Sequence, residues 1–380
     1  MKIVYWLGLV SLLLGLYSCG GCNPTASGGT DTYGAGTDSM EIRHAQGFTV
    51  ADRGHYKLVD ISDPTGENTT RYRYAFLNRG ESAQEIPSEY TVIEVPIRNV
   101  ICLTTLQLSN FIKLDAQNKV AGMTSTRFLF DETMKQRLES GATRRIGIEG
   151  EFDTEIVIAL DPDVILVSPF KRGGYDALAS LDIPMISFLG YKEYTPLGQA
   201  EWIKFTGMLV GEEEQANEIF DEIESRYNEL KALAASVEQR PIVLSGELHS
   251  GNWYVVGGES YLAQLFRDAG ADYFMRGNTE TGGYYVDFET VYSQGANADY
   301  WRLVNSHNGL FDYEALQKSD ARYTDFKAFR DQKVIYCNLR EKPFYEDTPV
   351  MPEVVLADLI HIFHPGLLPD HEPVFYDLLK

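Results

Sequence analysis

Aromatic, amide and cationic side chains gather just after the predicted strands of this 380-residue chain. Its 23 tyrosines cluster in predicted loops rather than in periodic runs. Rigid amphipathic rings suit a flat macrocycle or an aryl group, and cations suit carboxylates or phenolates. Packing within the fold is the competing interpretation for each aromatic, as is a solvated loop for the Lys-Arg pair. The candidate ligand-binding residues are Thr104, Thr105, Arg127, Phe170, Lys171, Arg172, Tyr191, Trp253, Tyr254, Tyr284, Tyr285, Asn305, His307 and Arg340.

Metal-binding and catalytic chemistry find little support in the sequence. His361 and His364 have ligand-like spacing on a predicted helix, and His371 lies nearby. No cysteine or carboxylate completes such a set, so we expect these histidines to cap and pack. The chain has no Gly-x-Ser-x-Gly, Walker, His-Glu-x-x-His or Gly-x-Gly-x-x-Gly motif. We therefore predict a binding protein without enzymatic activity, without a cofactor and without a metal site of its own.

Short apolar strands alternate with helical stretches over most of the chain, which predicts an α/β fold. Residues 46–95 differ, because β-branched and aromatic runs are split there by Gly and Asp-Pro signals, which predicts a β-rich N-terminal extension. One long amphipathic helix near the middle separates two similar β-α series. We predict two Rossmann-like lobes, 96–210 and 239–380 with a C-terminal helix, joined by a single bridging helix at 211–238.

The N-terminus has the features of a bacterial lipoprotein. Lys2 precedes an apolar run, and Leu16-Tyr17-Ser18-Cys19 is similar to a lipobox, which predicts a signal peptide at 1–18 and a lipid on Cys19. Cys22 is the weaker lipid site. Residues 19–45 are rich in Gly, Ser and Thr, which predicts a flexible tether.

Charge and cysteine content narrow the range of partners. The chain has 33 basic and 55 acidic residues, a net charge of −22 that repels nucleic acid. An acidic surface of this kind is compatible with docking onto Arg or Lys of a protein partner. Cys102 and Cys337 are the two cysteines of the predicted folded part, and whether they pair stays open.

Four segments in the right order carry a family resemblance. The chain resembles periplasmic binding proteins for iron-siderophore, haem and cobalamin uptake, in which one rigid helix bridges two lobes. The segments are TEIVIALDPDVILVSP (154–169), GNWYVVGGESYLAQLFRDAGADY (251–273), VDFETVYSQGANADYW (286–301) and PEVVLADLIHIFHPGLLPDH (352–371).

The resemblance implies a docking mechanism and a partner. In the family, one glutamate on each lobe pairs with arginines of an ABC transporter permease dimer, and these glutamates match Glu155 and Glu289. The alternative interpretation is that each glutamate is an acidic residue of a first helical turn, stabilised there by the helix dipole without any partner. The resemblance further implies a monomer, membrane-anchored in the periplasm of a Gram-negative bacterium, that binds an iron-siderophore, haem or corrinoid. A ligand-capture or sensor lipoprotein without importer docking is the competing function.

Overall fold

The computed structural model describes residues 40–66, 68–124, 126–148, 150–169 and 174–380. The predicted signal peptide, Cys19 and the candidates Phe170, Lys171 and Arg172 lie outside the described residues. The described residues between 40 and 380 form one compact unit. No helix of the described residues has the length and apolar character needed to cross a membrane.

A four-stranded sheet precedes the first lobe. Its strands follow chain order, with antiparallel pairing except between the last two, which are parallel. Val59, Ile61, Phe76 and Ile93 are buried on its inner face, as the alternation of each strand requires. The strands are Phe48–Asp52 (β1), Tyr56–Ser62 (β2), Arg71–Asn78 (β3) and Thr91–Val95 (β4).

Two buried carboxylates fasten the chain that leads into this sheet. Glu201 accepts hydrogen bonds from the backbone N–H groups of Arg43, His44 and Ala45 at 2.9, 2.6 and 2.8 Å. Glu193 accepts one from the N–H of Gly47 at 2.8 Å. The predicted tether is therefore too long at its C-terminal end, because residues 43–45 are held by a carboxylate that their sequence cannot reveal.

The first lobe is built on a five-stranded parallel sheet in the order β11–β10–β5–β6–β7. Its central strands are apolar and buried on both faces, as is typical of a parallel sheet covered by helices. The strands of this lobe are Val100–Cys102 (β5), Val120–Met123 (β6), Arg144–Arg145 (β7), Gly147–Ile148 (β8), Glu151–Phe152 (β9), Val164–Val167 (β10) and Met185–Ser187 (β11). Its helices are Thr105–Lys113 (α1), Glu132–Ser140 (α2), Thr154–Ala159 (α3), Asp176–Ala179 (α4), Pro196–Ala200 (α5) and Trp202–Val210 (α6).

A 22-residue helix, Glu213–Ala234 (α7), leads from the first lobe to the second. An apolar stripe buries one face of α7 at Ala216, Phe220, Ile223, Tyr227, Leu230 and Ala234. Helix α6 packs against α7, and the Tyr227 hydroxyl donates to Asp268 of the second lobe at 2.8 Å. The prediction of two α/β lobes and a long bridging helix is confirmed.

The second lobe contains a sheet in the order β15–β12–β17–β18–β19, parallel except for its last strand. A separate antiparallel sheet in the order β13–β14–β16 stands beside it. The strands are Ile242–Ser245 (β12), Leu248–His249 (β13), Asn252–Val256 (β14), Asp272–Tyr273 (β15), Gly283–Val286 (β16), Tyr300–Asn305 (β17), Val334–Asn338 (β18) and Asp377–Leu378 (β19). The helices are Tyr261–Asp268 (α8), Phe288–Gly295 (α9), Tyr313–Ser319 (α10), Lys327–Arg330 (α11), Phe344–Asp347 (α12) and Pro352–Phe363 (α13).

Candidate functional site

A cavity of about 470 Å³, here called the interlobe cleft, opens between the lobes. Leu106, Tyr191 and Gln199 line it from the first lobe. The second lobe supplies the rest: Ser245, Gly246, Glu247, His249, Tyr254, Val255, Val256, Tyr261, Leu262, Leu265, Tyr273, Arg302, Val304, Phe344, Tyr345, Thr348, Val355 and Tyr376. This volume lies in the usual range of small-molecule sites, and the mixture of apolar walls with few polar groups is typical of them.

Arg302 is the one arginine or lysine that the described residues contribute to the lining. It lies on β17 between buried Trp301 and Leu303. Its Nε donates to the Tyr376 hydroxyl at 2.7 Å, and its Nη1 donates to Ser245 Oγ at 3.3 Å. The guanidinium also lies over the Tyr376 ring, 5.2 Å from its centroid. These contacts hold the charge in one place against the cavity.

Strand β14 presents one predicted aromatic to the cleft and hides its neighbour. Tyr254 lines the cleft, and Tyr285 of the paired strand packs edge-on against it with ring centroids 5.3 Å apart. Trp253 points to the opposite face, is fully buried and donates through Nε1 to the Ser245 carbonyl at 3.0 Å. The prediction that Trp253 contacts the ligand is therefore wrong, because strand alternation turns its ring into the core.

Asn305 and Tyr284 act as supports in the structure rather than as lining. Asn305 Nδ2 donates to Glu247 Oε2 at 3.5 Å, so it orients an acid of the lining. Burial raises the pKa of Glu247 above its ordinary value. The Tyr284 hydroxyl accepts from Asn278 Nδ2 at 2.9 Å, on the face of β16 away from Tyr254.

The remaining described candidates, Thr104, Thr105 and His307, are not in the cleft lining. Thr104 caps α1 by accepting from the Gln107 N–H, and Thr105 is the first residue of that helix. The His307 ring packs on Phe311 with centroids 5.0 Å apart. These contacts give each residue a structural role.

A polar contact joins the two lobes at Ser306. Arg127 of the first lobe donates to Ser306 Oγ at 3.1 Å, and Arg340 donates to the Ser306 carbonyl at 3.2 Å. Neither arginine is in the cleft lining. The structure therefore shows both arginines in contacts with Ser306 rather than in the cleft.

Arg302, Tyr261 and Tyr376 were missed by the sequence analysis. An arginine inside the apolar strand YWRLVN is a local signal that could have identified Arg302, since buried central strands rarely carry a charge. Tyr376 gives no such signal, because the C-terminal tail brings it to the cleft from beyond α13.

The two matched glutamates occupy equivalent positions in the lobes. Each is exposed and follows an aspartate that caps its helix: Asp153 accepts from the Ile156 N–H at 3.0 Å, and Asp287 accepts from the Thr290 N–H at 2.6 Å. Glu155 and Glu289 are the second residues of α3 and α9. A helix N-terminus stabilises a carboxylate there with or without a partner.

Hydrogen bonds place both helix starts at the same edge of the lobe sheets. The Asp153 N–H donates to the Ile146 carbonyl, and the Ile146 N–H donates to the carbonyl of Met123, the last residue of β6. On the other lobe, α9 begins directly after β16, whose Val286 pairs with Trp253, and the Trp253 side chain bonds the end of β12. Both helix starts thus lie at the carboxyl ends of parallel strands, where the cleft also opens.

The histidines and cysteines of the described part have structural contacts. His361 and His364 bond backbone carbonyls of Leu368 and Gly270, while His371 bonds Asp358 at 2.7 Å. Among the described residues, no cluster of His, Cys, Asp and Glu has the arrangement of a metal site. Cys102 and Cys337 are both buried and free.

The carboxyl group of Glu346, next to Tyr345 of the cleft, should make the stability of the fold depend on pH. Its Oε2 accepts from the Phe130 N–H at 2.8 Å, and burial raises its pKa from 4.5 to about 7, with the negative charge of Asp347 adding to the effect. Because the pKa is higher in the folded state than in the unfolded state, the protonated carboxyl group contributes to stability in full below pH 4.5. This contribution is lost as pH rises through about 7. We expect the melting temperature to fall less between pH 5 and 8 in Glu346→Gln than in wild type.

Thermal melts by circular dichroism at several pH values measure this difference. Glu280→Gln, at an exposed position, serves as the control and should follow the wild-type curve. Parallel curves for Glu346→Gln and wild type would contradict the role given to Glu346.

A family model and a curated relative both match most of the chain. A model described as periplasmic binding protein matches residues 100–340. An uncharacterized lipoprotein of Methanocaldococcus jannaschii is 23% identical over 346 residues, which cover 86% of this chain and 78% of that protein.

Two solved structures share the fold. A periplasmic heme binding protein from Pseudomonas aeruginosa is 18% identical with a TM-score of 0.58, and the match covers 75% of this chain and 98% of that one. An ABC-type Fe3+-hydroxamate transport system protein from Saccharomonospora viridis is 17% identical with a TM-score of 0.55, covering 71% and 94%. The chain has two lobes, a bridging helix and an interlobe cleft, and a family model matches more than half of it. It belongs to the periplasmic binding protein family, the non-enzymatic solute-binding components of ABC importers.

Proposed function

We propose that this protein is a lipid-anchored solute-binding protein that captures an iron complex, a siderophore or haem, and delivers it to an ABC importer. The observation that carries the ligand class is the interlobe cleft, about 470 Å³ in volume and lined by six tyrosines as well as by aliphatic side chains. Rigid aromatic rings around such a volume suit a flat or aryl-rich ligand. The heme and Fe3+-hydroxamate proteins that share the fold support this ligand class.

Delivery rests on the matched glutamates at the carboxyl edge of each lobe. Each is accompanied three residues later by an exposed apolar side chain, Ile158 after Glu155 and Tyr292 after Glu289. Residues three apart share a helix face, so each lobe presents a carboxylate beside an apolar contact. A charged rim around apolar anchors is the usual composition of a protein interface. This pairing supports docking of both lobes onto the two permease subunits.

Transport into vesicles that contain the host importer tests the docking proposal. Glu155→Ala and Glu289→Ala should each slow uptake by about tenfold, which corresponds to roughly 1.4 kcal/mol of docking energy. Ligand affinity should not change, because neither residue lines the cleft. Glu314→Ala is the matched control, since Glu314 is also the second residue of a helix capped by aspartate but already pairs with Lys318. Normal uptake with both variants would favour the capture or sensor function instead.

The lipid anchor is proposed at Cys19, with the folded part in the periplasm of a Gram-negative bacterium. The lipobox-like sequence before Cys19 and the lipoprotein name of the archaeal relative support an anchor. We expect Cys19→Ala to lose labelling by a fatty-acid analogue and to appear in the soluble fraction, while Cys22→Ala stays labelled. Labelling that survives Cys19→Ala and disappears in Cys22→Ala would move the anchor to the second cysteine.

A further inference from the structure

Arg302 carries a charge that no acid of the described residues neutralises. Its Nε and Nη1 donate to two hydroxyl groups, those of Tyr376 and Ser245, and Nη2 has no hydrogen-bond partner among the described residues. The hydroxyls are neutral, so they orient the guanidinium without compensating it. A partly buried charge is costly unless an opposite charge accompanies it. In a chain with 55 acidic and 33 basic residues, the lack of a protein counter-charge at this position points to the ligand.

Aromatic rings fix the direction of the guanidinium. Its carbon lies 5.2 Å from the Tyr376 ring centroid and 5.9 Å from that of Phe344. Cation–π contacts with two rings, together with two hydrogen bonds, leave the arginine few alternative rotamers. Preorganised donors bind an anion better than mobile ones, because less conformational entropy is lost on binding.

Phenol hydroxyls extend this set of donors. Burial is the largest effect on Tyr273 and Tyr376 and raises both pKa values well above the ordinary range, so both hydroxyls stay protonated. Each hydroxyl already accepts a hydrogen bond, from the Val256 N–H and from Arg302 respectively, which leaves its own hydrogen to donate. Tyr261, also in the lining, keeps its proton for the same reason.

The acid of the lining stands apart from this group. Among the described residues, Glu247 forms no ion pair with Arg302, and its Oε1 lies 3.9 Å from Nε2 of exposed His249. Asn305 already donates to its Oε2, and burial favours its protonated form. Glu247 therefore does not neutralise Arg302, and it leaves the arginine end of the cleft to an anion.

The remaining walls require more than a bare oxyanion. Leu262, Leu265, Val304 and Val355 line the same cavity of about 470 Å³. A small inorganic anion would occupy one end of this volume and leave the aliphatic walls uncovered. An organic body would cover them and gain the free energy of apolar burial.

We propose that Arg302, with the hydroxyls of Tyr376 and Tyr273, binds the carboxylate or phenolate oxygens of an organic anion whose apolar body fills the aliphatic part of the cleft. This inference rests on the proposed function and narrows its ligand to anionic chelates. Haem, with its carboxylates, and ferric catecholates, with their phenolates, have the required charge. Uncharged ferric hydroxamates and corrinoids without an anionic group lack it.

Matched probes of different charge test the proposal on the full-length protein in detergent, by tryptophan fluorescence quenching. Haemin is compared with haemin dimethyl ester, and a ferric tricatecholate with the uncharged ferric trihydroxamate ferrichrome. Molybdate tests a bare oxyanion. We expect at least one anionic chelate to bind about 30-fold or more tightly than its uncharged counterpart. The pair that discriminates tells a carboxylate ligand from a phenolate one.

Variants connect this preference to the arginine. Arg302→Gln should weaken binding of the anionic chelate by about 30-fold or more and leave an uncharged chelate within about threefold. Arg302→Lys, which keeps the charge and guards against a folding defect, should lose less than Arg302→Gln. Tyr376→Phe should lose about five- to tenfold, as one hydrogen bond is removed. Arg330→Gln, at an exposed position away from the lining, is the control and should bind like wild type.

The outcomes separate this inference from the proposed function. Equal binding of charged and uncharged chelates, an equal loss for both in Arg302→Gln, or binding of molybdate alone would overturn the anion site. Tight binding of an uncharged chelate alone would keep the proposed function and reject the inference. Binding of none of the chelates by wild type would count against both.

Discussion

The double variant Glu155→Lys, Glu289→Lys is expected to lose importer-dependent uptake by about 100-fold or more while it binds its ligand with unchanged affinity. Both side chains are exposed at helix starts, so reversal should leave the fold intact. Each lysine would face the arginines expected on one permease subunit, and like charges add repulsion to the lost attraction. Because the two positions lie on one compact unit, losing both removes orientation as well as binding energy.

The size of the effect should depend on the number and sign of the changes. The loss of uptake should be larger for the double reversal variant than for the double alanine variant. The double alanine variant should in turn lose more uptake than either single alanine variant. Unfavourable helix-dipole contacts of the new lysines cost about 0.3–1 kcal/mol of stability each, which a melting curve detects separately. Wild-type uptake by the double reversal variant, with ligand bound normally, would contradict docking through these residues.

Asp358→Ala is expected to destabilise the folded state by about 3–5 kcal/mol. Asp358, on α13, is fully buried and accepts hydrogen bonds from three consecutive N–H groups of the tail, those of Val374, Phe375 and Tyr376, at 3.0, 2.7 and 3.0 Å. It also bonds His371 at 2.7 Å. Removing the carboxylate leaves these buried donors without an acceptor, which costs more than the hydrogen bonds contribute.

The Asp358→Ala change should also lower the affinity for the ligand. The tail positions Tyr376, whose hydroxyl accepts from Arg302 in the cleft, so a loosened tail should weaken anion binding as well. Urea unfolding at constant pH measures the stability loss. Asp370→Ala, an exposed acid of the same tail, is the control and should change stability by less than about 0.5 kcal/mol. A loss below about 1 kcal/mol for Asp358→Ala would show that the tail is held by other contacts.

Local sequence signals were sufficient for most of the lobe elements. The predicted C-terminal helix is α13, Pro352–Phe363, and its N-terminal proline is a typical helix start. Helix α6 was not predicted. All nine of its residues are buried, including Lys204, so it has no polar face from which helical periodicity could be recognised.

Some residues of the site were predicted from sequence, whereas others were misplaced or missed. Of the predicted ligand-binding residues that the structure describes, Tyr191 and Tyr254 line the cleft. Trp253, one residue away from Tyr254, was misplaced because a loop interpretation ignores the alternation of β14. Tyr376 could not be found from sequence, since tertiary contacts of the tail bring it to the cleft, among them the bond of its N–H to buried Asp358, 18 residues earlier in the chain.

Native mass spectrometry of the protein released from its own host in mild detergent tests the central claim most directly. Each ligand class has a distinct mass and absorbance, so these two quantities identify the bound molecule. We predict one organic, metal-containing anion per chain, lost on denaturation and held less tightly by Arg302→Gln. A chain that emerges saturated with a metal-free solute, or with a bare metal ion, would contradict capture of an iron complex.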